Sequence, residues 1–234
     1  MVYQYTRNER IIMAIINSLS NLPIGPTIFL LKYQKKIFSH YVGYFSMLVS
    51  IMYHICESLD IKIFLEQLKW HELDNIGAIY CFSQMTVPLT KFNFDLNYIT
   101  KKNYIIFYII LLFQQRGPWV LANTFMPLII DFSIALCQIV LYGLPKYNND
   151  ILIKAGICMV ISLIFFYKGL DDLNDYLRIW HSLWHLFIGI TSFYLLQIQD
   201  KKYVGFYDIL KFGFGSENNF NEKNVQISLN ANEL

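Results

Sequence analysis

Long apolar runs separated by short polar segments recur along most of the chain, and they limit its fold more than any other feature. About 20 helical residues cross a hydrocarbon core about 30 Å thick, and several of the runs approach that length. Only 15% of the 234 residues are charged, whereas about 25% is usual in soluble domains. The sequence therefore predicts an all-α, polytopic membrane protein.

Polar loops and turn residues divide the apolar sequence into seven predicted spans, which together predict a seven-transmembrane-helix bundle. The nearly continuous apolar sequence 104–144 is long enough for two spans, and we divide it at the turn signal Gln-Gln-Arg-Gly-Pro, 114–118. A short segment, 1–10, precedes the membrane domain 11–198, and a tail, 199–234, follows it. The predicted spans are 11–31, 41–56, 73–89, 103–115, 119–142, 151–167 and 176–196.

Both ends of the membrane domain carry distinctive sequence. The first span contains Pro23 and Pro26, which predict a kinked helix. A signal peptide is the alternative, but it requires a compact apolar core and a small-residue cleavage site, and neither is clear here. In the tail, residues 203–214 retain aromatic side chains and are predicted to lie on the membrane surface. From Gly215 onward, Ser, Asn, Glu and Lys dominate, which predicts disorder.

The fourth span is short, and we expect Lys101, Lys102 and Arg116 to extend their charged groups to the two membrane surfaces. The preceding sequence, 91–102, is predicted to be a loop. Seven spans place the termini on opposite sides, and the C-terminal side carries slightly more Lys and Arg. The positive-inside rule then predicts a cytosolic C-terminus in a multi-pass protein of the plasma membrane or an endomembrane. The net charge of +2 does not indicate nucleic-acid binding, so membrane lipids are the expected partners.

Two histidines open the last predicted span, in the sequence Trp-His-Ser-Leu-Trp-His at 180–185. If this run is helical, His181 and His185 lie one turn apart on the same face. Two imidazoles in this arrangement can bind one metal ion. The alternative is a pair of interfacial histidines between Trp180 and Trp184 in an aromatic belt. The pair alone leaves both interpretations open, and a third ligand from elsewhere would decide between them.

The alternating direction of the spans supplies a candidate for that third ligand. The second span ends, and the third and seventh spans begin, on the same side of the membrane. His54 near the end of the second span is therefore predicted at the depth of His181 and His185. Three imidazoles with an open fourth position resemble a catalytic zinc site, so zinc is the predicted cofactor.

The other two histidines fit this site less well. His40 precedes His54 by about 21 Å along a helix, which places it toward the opposite face of the membrane. His71 has a suitable depth but is predicted to lie in a loop, as a spare ligand or substrate contact.

Two further side chains are candidates for catalysis at this depth. Asp74, predicted at the mouth of the third helix, could accept a proton from activated water. Ser50, one turn below His54, could donate a hydrogen bond to a developing oxyanion. The alternatives are a carboxylate stabilised by the helix dipole for Asp74 and a hydroxyl bonded to its own helix for Ser50. Asp131 lies deeper and is expected to pair with Asn123 or with a hydroxyl, with a role in substrate or proton handling as the alternative.

These motifs, in this order, resemble the CREST superfamily, which includes alkaline ceramidases, the progestin and adipoQ receptors, and the transmembrane protein 8 and myomaker family. The sequence is most similar to the last of these. Tyr-His-Ile-Cys at 53–56 is similar to its Tyr-His-Ala-Cys, and His-Ser-Leu-Trp-His at 181–185 to the same sequence in that family. Leu-Asp-Asn-Ile-Gly-Ala at 73–78 and Ser-Asn-Leu-Pro at 20–23 are similar to further family motifs.

The resemblance implies a seven-helix bundle in which His54, His181 and His185 hold zinc and in which Ser50 and Asp74 complete the site. It favours a hydrolase of a lipid amide or ester, comparable to a ceramidase or phospholipase. A non-enzymatic membrane-remodelling or cell-fusion protein with structural zinc is the second hypothesis. A seven-helix receptor is the third, although the chain lacks the long polar loops that would favour it.

Overall fold

The computed structural model describes residues 5–92, 94–171, 174–200 and 203–214, and among these residues it contains helices and no β-strand. The predicted disorder from Gly215 onward lies outside the described residues. Short 3₁₀ turns occur at Leu22–Ile24, Val87–Leu89 and Tyr176–Arg178. The α-helices are α1 (Arg7–Leu19), α2 (Gly25–Tyr33), α3 (Ile37–Leu59), α4 (Gln67–Gln84), α5 (Leu96–Gln114), α6 (Leu121–Tyr142), α7 (Asn149–Gly169), α8 (Ile179–Leu195) and α9 (Phe206–Phe214).

Four helical segments are long and apolar enough to cross a membrane: Arg7–Tyr33, which joins α1 and α2, and the helices α3, α6 and α7. The outward faces of α6 and α7 expose large apolar side chains such as Leu136, Val140 and Val160. Apolar surface of this extent is unusual on a soluble monomer and is compatible with contact with lipid. The predicted all-α integral membrane protein is therefore confirmed at this level.

The kink predicted in the first span is present between α1 and α2. Thr6 and Glu9 form a capping box that starts α1, because each side chain accepts a hydrogen bond from the other residue's backbone N–H. The 3₁₀ turn Leu22–Ile24 then interrupts the helix at Pro23. This turn packs on α8, and α2 packs on both α3 and α8. The first segment thus contacts both α3 and α8.

Helix α5 corrects the predicted loop 91–102. It begins at Leu96, because Asp95 caps it by accepting a hydrogen bond from the Tyr98 N–H at 3.0 Å. Lys102 consequently lies inside the helix. It does not extend to the membrane surface as predicted but is buried, with its Nζ 2.8 Å from Asp131 Oδ1 on α6. A carboxylate on a neighbouring helix compensates its charge within the protein.

Helix α4 also begins earlier than the predicted third span, at Gln67, and so includes residues 67–72 of the polar sequence that was expected to form a loop. It packs closely on α3 because Gly77 faces Ser46, where an added Cβ would lie 2.8 Å from the Ser46 Cβ. A cluster of buried apolar residues then joins α3, α4 and α5. Its members are Val42, Ile76, Ile79, Tyr80, Ile106 and Ile110.

Helix α9 covers the segment predicted to lie on the membrane surface. Its Ile209 is fully buried in a cluster with Phe29, Leu30 and Phe193, which joins α9 to α2 and α8. Tyr207 on the same helix remains exposed. The segment is therefore a helix with one face packed against the bundle.

Candidate metal centre

The three predicted ligands meet between α3 and α8. His54 Nε2 lies 3.2 Å from His185 Nε2, which lies 3.0 Å from His181 Nε2. One ligand atom from each residue falls within 4.8 Å of the others. The four-residue spacing on α8 and the position of His54 near the end of α3 therefore bring the imidazoles together as the sequence predicted.

The spacing of these nitrogen atoms fits a small tetrahedral metal ion. Zinc–nitrogen bonds of about 2.0–2.1 Å in a tetrahedron separate neighbouring nitrogens by roughly 3.4 Å. Two of the three separations, 3.0 and 3.2 Å, are close to that value, and all three ligand atoms lie within 4.8 Å of one another. His54 is also fully buried, and a metal ion is one way for buried polar groups to be satisfied. The triad can hold a metal ion, and the aromatic-belt interpretation does not account for the convergence of His54.

The start of α8 is fixed by Asp175, which lies between the sixth and seventh predicted spans. Asp175 is fully buried, and its carboxylate accepts hydrogen bonds from the Trp180 N–H at 2.8 Å and the His181 N–H at 3.0 Å. Burial raises the pKa of Asp175, and the backbone hydrogen bonds oppose that increase. An acid just before an apolar run is a helix-start signal, so the sequence did contain this information.

Gly169, at the end of α7, allows close packing against the ligand on α8. An added Cβ there would lie 3.0 Å from both the backbone N and the Cα of His181. Those atoms belong to the backbone and cannot rotate away. The site therefore depends on a residue without a side chain at this contact.

A second residue that sequence analysis missed lies behind His54. Glu57 Oε2 accepts a hydrogen bond from His54 Nδ1 at 3.3 Å, while its Oε1 accepts one from the Tyr53 hydroxyl at 2.8 Å. Arg178, in the link between α7 and α8, brings Nη2 to 3.7 Å from the same Oε1. Glu57 follows His54 by three residues, a spacing that places two side chains on one helix face.

The structure corrects the position of Asp74. Because α4 begins at Gln67, Asp74 lies two turns inside the helix and not at its mouth. The helix-dipole interpretation weakens accordingly, since that effect falls off within the first turn. The Asp74 carboxyl lies near the Ser50 hydroxyl and near His54.

Ser50 is buried, and its hydroxyl makes no hydrogen bond to its own helix, unlike Ser46, which donates to the Val42 carbonyl. The back-bonded interpretation of Ser50 is therefore wrong. Both predicted catalytic side chains lie beside the histidine that belongs to α3.

The remaining candidates lie outside the triad. His71 is part of α4 and not of a loop; its ring stacks on Tyr53 and lies 4.0 Å from the Trp119 ring. His40 hydrogen-bonds the Ile28 carbonyl at 2.8 Å, in agreement with its exclusion from the site.

Asp131 accepts a hydrogen bond from the Thr86 hydroxyl at 2.7 Å, so the expected hydroxyl partner is present. The other expected partner, Asn123, instead donates to the Gly117 carbonyl. Lys102 completes the group, as described above, and sequence analysis did not anticipate it. The pair of opposite charges gives Asp131 a structural partner within the bundle.

Comparison with known proteins identifies a family for this chain but indicates no activity. Residues 9–186 match the model of a family described as a protein of unknown function, DUF3522. The matched region includes all three histidines as well as Ser50, Glu57 and Asp74. No curated protein matches the chain.

Proposed function

The chain belongs to the DUF3522 family, whose function is unknown, and we propose that it is a membrane-embedded, zinc-dependent hydrolase that cleaves an amide or ester bond of a lipid. The observation that carries this proposal is the convergence of three imidazole Nε2 atoms from His54, His181 and His185. Three protein ligands with a vacant fourth position are typical of catalytic zinc sites, whereas structural sites usually have four.

The proposal includes a bundle of seven spans, formed by the kinked first segment and helices α3 to α8. Contacts at the two ends of the bundle support it. At one end, Arg10 lies 3.8 Å from Asp60, and Tyr176 hydrogen-bonds Glu9. At the other end, Gln34 donates a hydrogen bond to the Leu196 carbonyl. Helices that alternate in direction produce this grouping of loops.

The triad then lies toward the first of these ends, near the last turns of α3 and the first turn of α8. This depth corresponds to the membrane interface, where the carbonyl groups of lipids are found. With the C-terminus in the cytosol, the site would face the opposite side of a plasma membrane or an endomembrane.

Two side chains beside the triad, Asp74 and Ser50, have roles in the proposed reaction. Zinc, when bound, supplies Lewis-acid activation of water. The Asp74 carboxylate accepts the proton of the attacking water and returns it to the leaving group. The Ser50 hydroxyl donates a hydrogen bond to the carbonyl oxygen as negative charge develops on it. The resemblance to the CREST superfamily supports the same assignment of residues.

The test begins with metal content, measured by mass spectrometry on detergent-purified protein. We expect about one zinc per chain in the wild type, because three ligands define one site. We expect its loss in His54→Ala and in the double variant His181→Ala, His185→Ala. His40→Ala is the matched control, since that histidine is buried on α3 but bonds a backbone carbonyl. A folded wild type without metal would reject the proposal.

Activity is the second stage of the same test. Zinc-loaded protein would be assayed against ceramides and phospholipids, with release of fatty acid as the readout. Turnover that disappears in the metal-free variants supports the hydrolase. If zinc is bound and no lipid amide or ester is cleaved, the hydrolase proposal fails.

A structural role for zinc is the second candidate function, as in a non-enzymatic membrane-remodelling protein. It is favoured by the position of the triad between α3 and α8, each of which packs on the first segment. A metal ion there would join the two helices directly. This candidate predicts that His181→Ala lowers the melting temperature and alters membrane behaviour, without any detectable turnover.

A further inference from the structure

We propose that Glu57 and Arg178 form a positioning pair, which holds His54 in the orientation required for metal binding and connects it to the start of α8. This inference rests on the proposed metal centre and extends it to residues that do not touch the metal. It concerns one fully buried side chain and two mostly buried ones: the exposed fractions are 0% for His54, 20% for Glu57 and 15% for Arg178.

The first step is the hydrogen bond between His54 and Glu57. A carboxylate can only accept a hydrogen bond, so the Nδ1 atom facing it must carry the proton. The neutral ring then has no proton on Nε2, the atom that faces His185. A carboxylate in this position also increases the basicity of the ligand nitrogen, as in other metal sites where a carboxylate bonds the far side of a histidine.

The second step is the support of Glu57 itself. The Tyr53 hydroxyl donates to one carboxylate oxygen at 2.8 Å, and the Arg178 guanidinium lies 3.7 Å from the same atom. The other oxygen remains available to His54. A mostly buried carboxylate needs compensating charge and hydrogen bonds, and these two neighbours supply both.

The third step is the backbone that presents Arg178. Leu177 and Arg178 both have positive φ angles, 55° and 57°, which non-glycine residues rarely adopt. Such conformations persist where surrounding contacts hold them, and they are concentrated at functional sites. In the same link, Asp175 bonds the His181 N–H. One short segment therefore contacts the ligand helix α8 through Asp175 and the ligand His54 through Glu57.

The experiment compares zinc affinity in Glu57→Gln, Arg178→Gln and wild type by competition with a chromophoric chelator. Glu57→Gln preserves shape and removes the charge; we expect zinc affinity to fall by about 10–100-fold, the usual effect of losing such a partner. Arg178→Gln should give a smaller loss, because it acts through Glu57. Glu66→Gln is the matched control, as its carboxylate is exposed and pairs only with Lys62 among the described residues.

A second readout distinguishes positioning from general stability. The melting temperature of the metal-free protein should stay near that of Glu66→Gln while zinc affinity falls. A folded Glu57→Gln protein with wild-type affinity would overturn the inference and leave the metal centre intact. If Glu57→Gln does not fold, the zinc affinity of folded Arg178→Gln decides between the same two outcomes. If neither variant folds, the pair acts in stability, and the inference is overturned. Absence of zinc from the wild type would instead reject the proposed function.

Discussion

At the scale of single residues, Asp74 is proposed to transfer protons and not to bind the metal, unlike the histidines near it. It lies beside His54 and Ser50 inside α4, but it is not part of the group of three histidines that could hold a metal ion. A carboxylate near a metal centre but outside its ligand set is suited to transfer protons. Metal content and turnover should therefore respond differently when this carboxylate is removed.

We predict that Asp74→Asn retains about one zinc per chain and loses lipid hydrolysis by about 10²–10⁴-fold, the range for removing a general acid–base. Asparagine has nearly the same shape but cannot accept the proton. Zinc content and fatty-acid release from the same preparation check both parts. Asp150→Asn, at the exposed start of α7, is the control and should behave as wild type. Hydrolysis at the wild-type rate in Asp74→Asn would contradict the assignment.

The residues of the triad could be predicted because their positions depend on two regular quantities. A helix turns once every 3.6 residues, which places His181 and His185 on one face. Spans that alternate in direction are predicted to place His54 at the same depth as these two histidines. The contact of Arg178 with Glu57 depends instead on the conformation of one irregular link. No periodic pattern describes a segment with two consecutive positive φ angles, so sequence analysis could not place Arg178 beside Glu57.

At the scale of the elements, α6 is attached to the rest of the bundle by a buried ion pair. Its outer face is apolar and exposed, whereas Asp131 on its inner face is fully buried beside Lys102 of α5 and Thr86 after α4. Sequence analysis identified α6 from its apolar length but assigned Lys102 to a surface. The burial of Lys102 depends on where α5 begins, and helix boundaries are poorly determined by hydropathy alone.

We predict that Asp131→Asn lowers the free energy of unfolding by about 3–5 kcal/mol, because it leaves the Lys102 ammonium buried without its counter-charge. Thermal melting in detergent, followed by circular dichroism, provides the measurement. The double variant Lys102→Met, Asp131→Leu removes both charges and should lose much less stability than Asp131→Asn. If the single and double variants are equally unstable, the ion pair does not connect α5 and α6 in the way described.

At the scale of the whole molecule, the proposal depends on the direction in which each helix crosses the membrane. Four segments have the length and apolar composition of spans, and the proposed bundle adds α4, α5 and α8 to them. Helices α4 and α5 carry more polar residues than α6 and α7, and α8 is only 17 residues long, so hydropathy and length identify these three helices less clearly as spans. Their orientation is the part of the fold that a topology measurement can test directly.

The proposed seven spans, with the C-terminus in the cytosol, would place the loop between α3 and α4 on the non-cytosolic side and the loop between α6 and α7 in the cytosol. We predict that Lys62→Cys reacts with a membrane-impermeant maleimide on sealed, right-side-out membranes, whereas Lys146→Cys reacts only after permeabilisation. Both lysines are exposed, so access to the reagent depends on the side of the membrane. The parent protein is the control for its own cysteines, of which Cys56 is buried. Labelling of both positions from the same side would contradict the alternation of α4, α5 and α6, and with it the proposed topology in which α3 ends and α8 begins on one side of the membrane.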